Sequence, residues 1–197
     1  MKRFFDLIFL LIVSILFSPI FISTVLLILI FEGRPIFFKQ DRLGMNNKVI
    51  KIIKFRTMNR KKTEGGVLMP DKDRTTWLGH FLRKSSIDEL PSFWNVFIND
   101  MSFVGPRPLR ARYLKRYTPE QARRHEVKPG ITGWAQINGR NSLTWEKRFL
   151  LDIWYVENHS LVLDFKILFL TIFVVLFSKN VNSSEENTME EFLGTKD

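Results

Sequence analysis

The chain has no cysteine. That removes disulfide scaffolds, thiolate zinc sites, iron–sulfur clusters and cysteine nucleophiles together. Histidine is scarce: His80, His125 and His159 lie far apart with no HExxH spacing, so the sequence offers no histidine-built metal site. Neither GxxxxGK[ST] nor GxGxxG occurs, which withdraws support from a P-loop or Rossmann nucleotide site. The arginines fall in no nucleic-acid-binding helix or RNP motif, so no nucleic-acid partner is expected. There is no internal repeat and no low-complexity tract.

What is present is basic and apolar. Of 197 residues, 45% are apolar, which excludes wholesale disorder, and 30 lysines and arginines face 20 acidic residues for a net charge of +10. Such a chain meets an anionic partner; with nucleic acid set aside, that leaves a membrane surface or a phosphorylated substrate. The last 18 residues, 180–197, carry a net charge of −4, leaving +14 on the rest. This polar tail reads as a solvated terminus, although Met189, Phe192 and Leu193 could dock it.

Leu7 to Phe31 is a 25-residue apolar run interrupted only by hydroxyl residues and Pro19. It exceeds the roughly 20 residues needed to cross a bilayer, and no small-residue cleavage site follows it. Two features complicate a simple span. Ser18-Pro19 sits mid-run, where proline removes a backbone donor and breaks or kinks a helix. Both flanks are also basic, and basic flanks favour the cytoplasmic side. A broken helix that enters and leaves by one face satisfies both features; a kinked spanning helix, a common form, is the open alternative and would put one basic flank outside. A second apolar stretch, Ile167 to Phe177, is too short to span at 11 residues. It reads as an amphipathic helix in the interface or as a buried core helix.

Between them lies a mixed, predominantly helical body. Residues 35–40 and 48–55 read as two strands of a small hairpin, and residues 60–73 as a charged loop. Helices are expected at Trp77–Arg83, from Asp88 to Phe97, and from Leu143 to Val156. Thr118-Pro-Glu-Gln is a helix start with threonine as cap. Pro129-Gly-Ile-Thr-Gly-Trp is turn chemistry.

Chemistry concentrates in three places. Ser86-Ile-Asp-Glu fits a capping box, with Ser86 as cap and Glu89 reaching back. The same geometry would hold the Asp88 carboxylate ionised at a helix N-terminus, as a nucleophile requires, with Glu89 beside it as a ligand for a divalent ion. Arg107, between Pro106 and Pro108, has an extended backbone and an aimed guanidinium suited to phosphate. The stretch from Lys128 to Arg140 carries glycines that allow tight turns and close backbone approach.

These segments occur in a telling order: Lys2-Arg-Phe-Phe-Asp, Ser18-Pro19, Lys54-Phe-Arg-Thr-Met, Ser86-Ile-Asp-Glu-Leu-Pro, Asp100-Met-Ser-Phe-Val-Gly-Pro-Arg-Pro-Leu, and Lys128-Pro-Gly-Ile-Thr-Gly-Trp-Ala-Gln-Ile-Asn-Gly-Arg. From residue 2 to about 178 the chain resembles the bacterial sugar transferases, the monotopic phosphoglycosyl transferases, in their small single-domain form. The resemblance implies an α+β, predominantly helical fold with a re-entrant membrane helix (1–33) broken at Ser18-Pro19. A catalytic domain on the cytoplasmic face (34–179) with amphipathic interfacial helices would follow, then the acidic tail (180–197).

The implied reaction has two steps at the cytoplasmic face of the inner membrane. An aspartate attacks the β-phosphate of a UDP-sugar and releases UMP. Polyprenyl phosphate then takes the phosphosugar from the enzyme. The family's nucleophile falls on Asp88 and its magnesium ligand on Glu89, with Asp88 sharing the ion. Phosphate-site positions fall on Lys54, Arg83, Arg107 and Arg140, and further acidic positions linked to activity on Asp152 and Asp164. Implied partners are the UDP-sugar, polyprenyl phosphate, membrane lipids and later enzymes of the same glycan pathway. Residues 60–75 and the tail match no family motif. Two rivals remain at this stage: a non-catalytic basic protein of the membrane surface, and a glycosyltransferase that moves the sugar alone.

Overall fold

The apolar run folds as one helix, α1 (Lys2–Phe31), whose 30 residues extend about 45 Å at 1.5 Å per residue. The expected break at Ser18-Pro19 is not seen, because helix continues through Pro19. Proline removes the N–H that would reach the Ile15 carbonyl, and Ser18 Oγ donates to that same carbonyl at 2.8 Å. The freed acceptor is satisfied within the helix. A computed structural model describes residues 1–139, 143–177 and 191–194.

One stripe of α1 packs along the body for its whole length: Asp6, Leu10, Val13, Thr24 and Ile28 are buried, with Phe17 and Phe21 partly so. This is the i, i+3, i+4 spacing of a single helix face. Both ends are tied down. Lys2 pairs with Asp164 and reaches Tyr155 Oη at 3.3 Å. Arg3 donates to the carbonyls of Val96 and Phe97 at 2.5 and 2.7 Å, closing off a helix end. Asp6 accepts from Ser102 Oγ at 3.0 Å and Phe103 N at 3.2 Å. At the other end Arg56 donates to the carbonyls of Glu32 and Gly33 at 2.5 and 2.9 Å. The Thr76 hydroxyl donates to the Glu32 carboxylate.

The hairpin forms as expected, with the first strand shifted toward the turn: β1 (Phe37–Leu43) pairs antiparallel with β2 (Val49–Phe55), Phe37 opposite Phe55 and Leu43 opposite Val49. The charged loop follows, ending in a single turn, α2 (Asp71–Arg74), and then α3 (Trp77–Lys84), which Thr76 caps. The helix expected from Asp88 to Phe97 is split into a 3-10 turn, Ile87–Ser92, and α4 (Phe93–Phe97). Pro91, with no N–H to donate, lies inside the tighter segment.

The turn expected at Pro129–Trp134 is instead partly strand. β4 (Gly130–Thr132) lies parallel to β3 (Ser102–Val104), joined by a crossover through the 3-10 turn Ala111–Arg116 and α5 (Pro119–Ala122). Thr118 and Gln121 form the full capping box at the start of α5. The chain continues through α6 (Trp134–Ile137), α7 (Trp145–Asn158) and α8 (Leu161–Phe177). The result is α+β and mostly helical.

On α8 only part of the surface is inward: Asp164 and Ile167 are buried, whereas Val162, Phe165, Phe169, Ile172, Phe173 and Val175 are exposed. Its outer face is therefore largely apolar, not the polar face of an ordinary amphipathic helix. The tail also departs from expectation. Phe192 is 2% exposed and joins Leu109, Tyr113 and Phe149 in a core cluster.

Candidate active site

A partly buried cluster of four charged side chains is assembled from three segments. The end of β2 supplies Lys54, the 3-10 turn supplies Asp88 and Glu89, and the Gly105–Pro108 loop supplies Arg107. Lys54 Nζ lies 3.5 Å from Asp88 Oδ2 and 2.5 Å from Glu89 Oε1, and Arg107 Nη2 lies 2.7 Å from the same Glu89 oxygen.

Local sequence fixes this arrangement. Ser92 Oγ donates to the Ile53 carbonyl at 2.8 Å, and Asn95 bridges β2 by accepting from Ile53 N at 3.1 Å and donating to the Lys51 carbonyl at 2.8 Å. Both side chains are buried, so they staple the Asp-Glu turn against the strand that carries Lys54. The capping box at Ser86 does not form. Ser86 sits in the left-handed region at φ 58° with no side-chain cap bond, and Glu89 turns away to Lys54 and Arg107. A left-handed serine is uncommon, and its backbone cost is sustained here by the surrounding contacts.

The electrostatics separate the two carboxylates. Burial pushes the Asp88 carboxyl up; Lys54 pulls it back, and the neighbouring Glu89 charge raises it further. The expected dipole-stabilised carboxylate is thus a partly desolvated one. Burial also opposes charge on Glu89, yet Arg107 and Lys54 outweigh it and hold this carboxylate well below its usual range. Glu89 in turn raises Arg107. Two adjacent acids therefore have different protonation behaviour, an arrangement able to divide two roles between them.

Of the other expected site residues, Arg83 is close by. Its Nε donates to Thr57 Oγ1 at 2.9 Å, and its charge reaches Asp88. Arg140 lies outside the described residues. Asp152 is one step removed: it forms a buried pair with Arg124 (Nη2 to Oδ2, 2.6 Å), and the same Arg124 nitrogen donates to the Arg107 carbonyl at 2.8 Å. Asp164 is not brought to the cluster. It accepts from Tyr155 Oη at 2.6 Å and pairs with Lys2, joining α8 to the start of α1.

Three arginines that sequence reasoning missed extend the positive field. Arg42, lowered to about 10 by burial and then by Arg107 and Arg110, faces Glu89 from β1. Arg148 is lowered to about 10, chiefly by burial with Arg107 and Arg124 adding to it. Burial opposes the Arg124 charge, but Asp152 and Tyr117 raise it. Arg42 and Arg148, lowered by burial and further by neighbouring guanidinium groups, lie where added negative charge would be favoured. No spacing signal marks these three arginines in the sequence.

Beside the cluster, between α1 and the Asp-Glu turn, runs a mostly apolar groove of about 560 Å³ lined by Phe17, Phe21, Phe37, Leu90, Phe93 and Trp94 among others. Leu90 follows Glu89 directly, so the groove adjoins the charged cluster. Among the described residues no group of three or more histidines and carboxylates is gathered, so Asp88 and Glu89 stand as a two-carboxylate set.

Comparison with known proteins gives this arrangement its class. The family model of the bacterial sugar transferases matches residues 1–178, and the chain belongs to that family. It is 50% identical, over all of its length and 98% of the other, to an uncharacterized sugar transferase, EpsL, of Bacillus subtilis (strain 168). Over 88% of its length it is 39% identical to the UDP-glucose:undecaprenyl-phosphate glucose-1-phosphate transferase of Escherichia coli (strain K12). Over 89% it is 38% identical to the UDP-N-acetylgalactosamine-undecaprenyl-phosphate N-acetylgalactosaminephosphotransferase of Aeromonas hydrophila. It spans 39% and 43% of the lengths of those last two proteins.

Proposed function

We propose that the chain transfers a phosphosugar from a UDP-sugar to polyprenyl (undecaprenyl) phosphate through a covalent intermediate on Asp88. The observation that carries this reading is the buried Asp88 carboxylate next to Lys54, beside a Glu89 held by two cations. An Asp88 oxygen attacks the β-phosphorus, the bond from that phosphorus to the bridging oxygen breaks, and UMP departs. A phosphate oxygen of the polyprenyl acceptor then attacks the same phosphorus, freeing the Asp88 carboxylate and leaving a polyprenyl diphosphate sugar. Splitting the transfer lets a water-soluble donor and a lipid acceptor use one site in turn.

Lys54, Arg83, Arg107 and Arg42 supply positive charge where negative charge grows on the leaving phosphate, and Arg140 is assigned to the same task by resemblance. The apolar groove next to Leu90 suits the prenyl chain of the acceptor. Asp88 and Glu89 would hold magnesium, which takes one or two carboxylates and completes its shell with substrate phosphates and water. The ion would neutralise charge on the diphosphate. The two-carboxylate set fits that habit.

Helix α1 is read as re-entrant in one leaflet, turned at Pro19 by a kink that leaves the helix continuous, with the body on the cytoplasmic face. Both of its ends are bonded to one body, and its outward side chains are apolar; a spanning helix would carry one end away. The polyprenyl diphosphate sugar then passes to later enzymes of the same glycan pathway.

Purified protein, magnesium, polyprenyl phosphate and a panel of UDP-sugars test the reaction. UMP release is the expected result. UDP release indicates transfer of the sugar alone, and no nucleotide release across the panel indicates a binding protein. Intact mass without acceptor should show a phosphosugar adduct that Asp88→Asn abolishes. Tags before Lys2 and after Phe31 should both be cytoplasmic; a periplasmic N-terminus overturns re-entry.

A further inference from the structure

The tail does more than end the chain. Phe192 lies 5.1 Å from Phe149, 5.3 Å from Trp145 and 5.8 Å from both Tyr113 and Tyr117, ring centre to ring centre. Glu191 bonds Arg112 at 2.6 Å and Arg116 at 2.8 Å, and Arg116 also donates to the Phe192 carbonyl. Rings at these separations and tilts attract one another, and a pocket that buries a whole phenyl ring holds it tightly.

What the clasp holds is the backing of the site. Arg112 and Arg116 belong to the 3-10 turn that follows Arg107 by a few residues. Phe149 lies under the Arg124 guanidinium at 5.6 Å, and Arg124 holds the Arg107 carbonyl. A contiguous path therefore runs from Phe192 through Phe149 and Arg124 to Arg107 and Glu89. We infer that Glu191 and Phe192 are positioning residues: Phe192 closes the aromatic cluster on which Arg124 rests, Glu191 ties down the segment after Arg107, and together they aim the Arg107 guanidinium at the donor diphosphate.

The inference rests on the proposed reaction for its substrate, and the test separates the two. Full-length protein is compared with Phe192→Ala, Phe192→Leu, Glu191→Gln and a chain ending at residue 179, by UMP release and by hydrogen exchange of residues 107–124. Phe192→Ala should raise KM for the UDP-sugar roughly tenfold with kcat changed much less, short of the ~100-fold that a 1 Å misplacement of reacting groups can cost. Phe192→Leu should keep most of the affinity, and a synthetic peptide of residues 180–197 should restore the shortened chain. Exchange in residues 113–117 should quicken in Phe192→Ala whether or not nucleotide is turned over. If Phe192→Ala fails to fold, Phe192→Leu and Glu191→Gln carry the comparison. Unchanged KM and exchange overturn the inference, as does higher activity on shortening, which would make the tail a brake. If the intact protein releases no UMP, the reaction reading fails and exchange alone decides the clasp.

Discussion

Arg124 Nη2 donates to the Arg107 carbonyl at 2.8 Å while the same group pairs with Asp152 at 2.6 Å, so a buried ion pair sets the backbone of a site arginine. The side chains of Arg124 and Asp152 are 1% and 2% exposed, so neither charge has water to fall back on. Asp152→Asn leaves a buried guanidinium without its counter-charge and should cost about 3–5 kcal/mol of stability. Replacing both, as Arg124→Met with Asp152→Leu, should recover much of that loss. It should not recover KM for the donor, because the Arg107 carbonyl still lacks its donor. Thermal unfolding in detergent beside UMP-release kinetics checks both halves, and full recovery of KM would show that Arg124 only stabilises.

The raised Asp88 carboxyl has two consequences of opposite value. Adduct formation needs the ionised form, so its rate should fall as pH drops through a value above the ordinary 3.8. Lys54→Met removes a charge that lowers Asp88 and should move this limb to higher pH. Glu89→Gln removes one that raises it and should move the limb down. For stability, a carboxyl raised by folding favours the native state below its unfolded pKa, and the benefit is lost as pH rises through the folded value. At neutral pH the ionised Asp88 therefore costs stability, and Asp88→Asn should be the more stable protein while forming no adduct. Adduct rates by quenched intact mass and unfolding curves across pH 3 to 8 measure the two effects.

These charges also mark the limit of what the sequence told. Local patterns carried the hairpin, the Thr118 cap, α3 and α7, because alternation, capping chemistry and helical spacing act over a few residues. Asp88, Glu89, Lys54 and Arg107 were found through motifs. Their junction around Glu89 Oε1 was not, since it depends on Ser92 and Asn95 bonding a strand about 40 residues earlier. At Ser86 the capping pattern pointed the wrong way, as two cations offered Glu89 more than one backbone N–H did. At Pro19 the sequence could not say whether the helix breaks, because the Ile15 carbonyl that proline leaves free is taken up by the Ser18 hydroxyl. Phe192 is legible as a residue that could dock the tail, but its pocket, drawn from residues 109–117 and 145–149, has no signal in the sequence.

His125 gives a stability signal distinct from that of Asp88. It is 5% exposed, beside Arg124, and burial followed by that charge lowers it from 6.5 to about 4. The unfolded chain takes up a proton below pH 6.5 that the folded chain refuses until about 4, so stability should fall across that window and level off below it. The full loss is at most about 3 kcal/mol at 1.36 kcal/mol per pKa unit. His125→Gln should flatten the one-proton slope of unfolding free energy between pH 6.5 and 4. An unchanged slope would assign the acid sensitivity to other groups.

Gly130 tests whether the β3–β4 pair positions Arg107. Gly105 N donates to the Thr132 carbonyl at 2.9 Å and Gly130 N to the Pro106 carbonyl at 3.1 Å, so β4 bonds directly to the residues leading into Arg107. A Cβ on Gly130 would collide with the backbone N and O of Gly105 and the carbonyl of Thr132. Backbone cannot swing aside as a side-chain tip can, so Gly130→Ala should reach the upper part of the ~1–3 kcal/mol range for overpacking, or exceed it. The strands can separate only by moving Gly105 and Pro106, which carries Arg107 away from Glu89 and raises KM for the donor. Gly66→Ala is the control: at φ +78° with nothing within 4 Å of its added carbon, it pays about 1–2 kcal/mol for a left-handed alanine and touches no site residue. Both variants should lower the unfolding midpoint, but only Gly130→Ala should raise KM. Equal KM values in the two would separate the strand pair from the site.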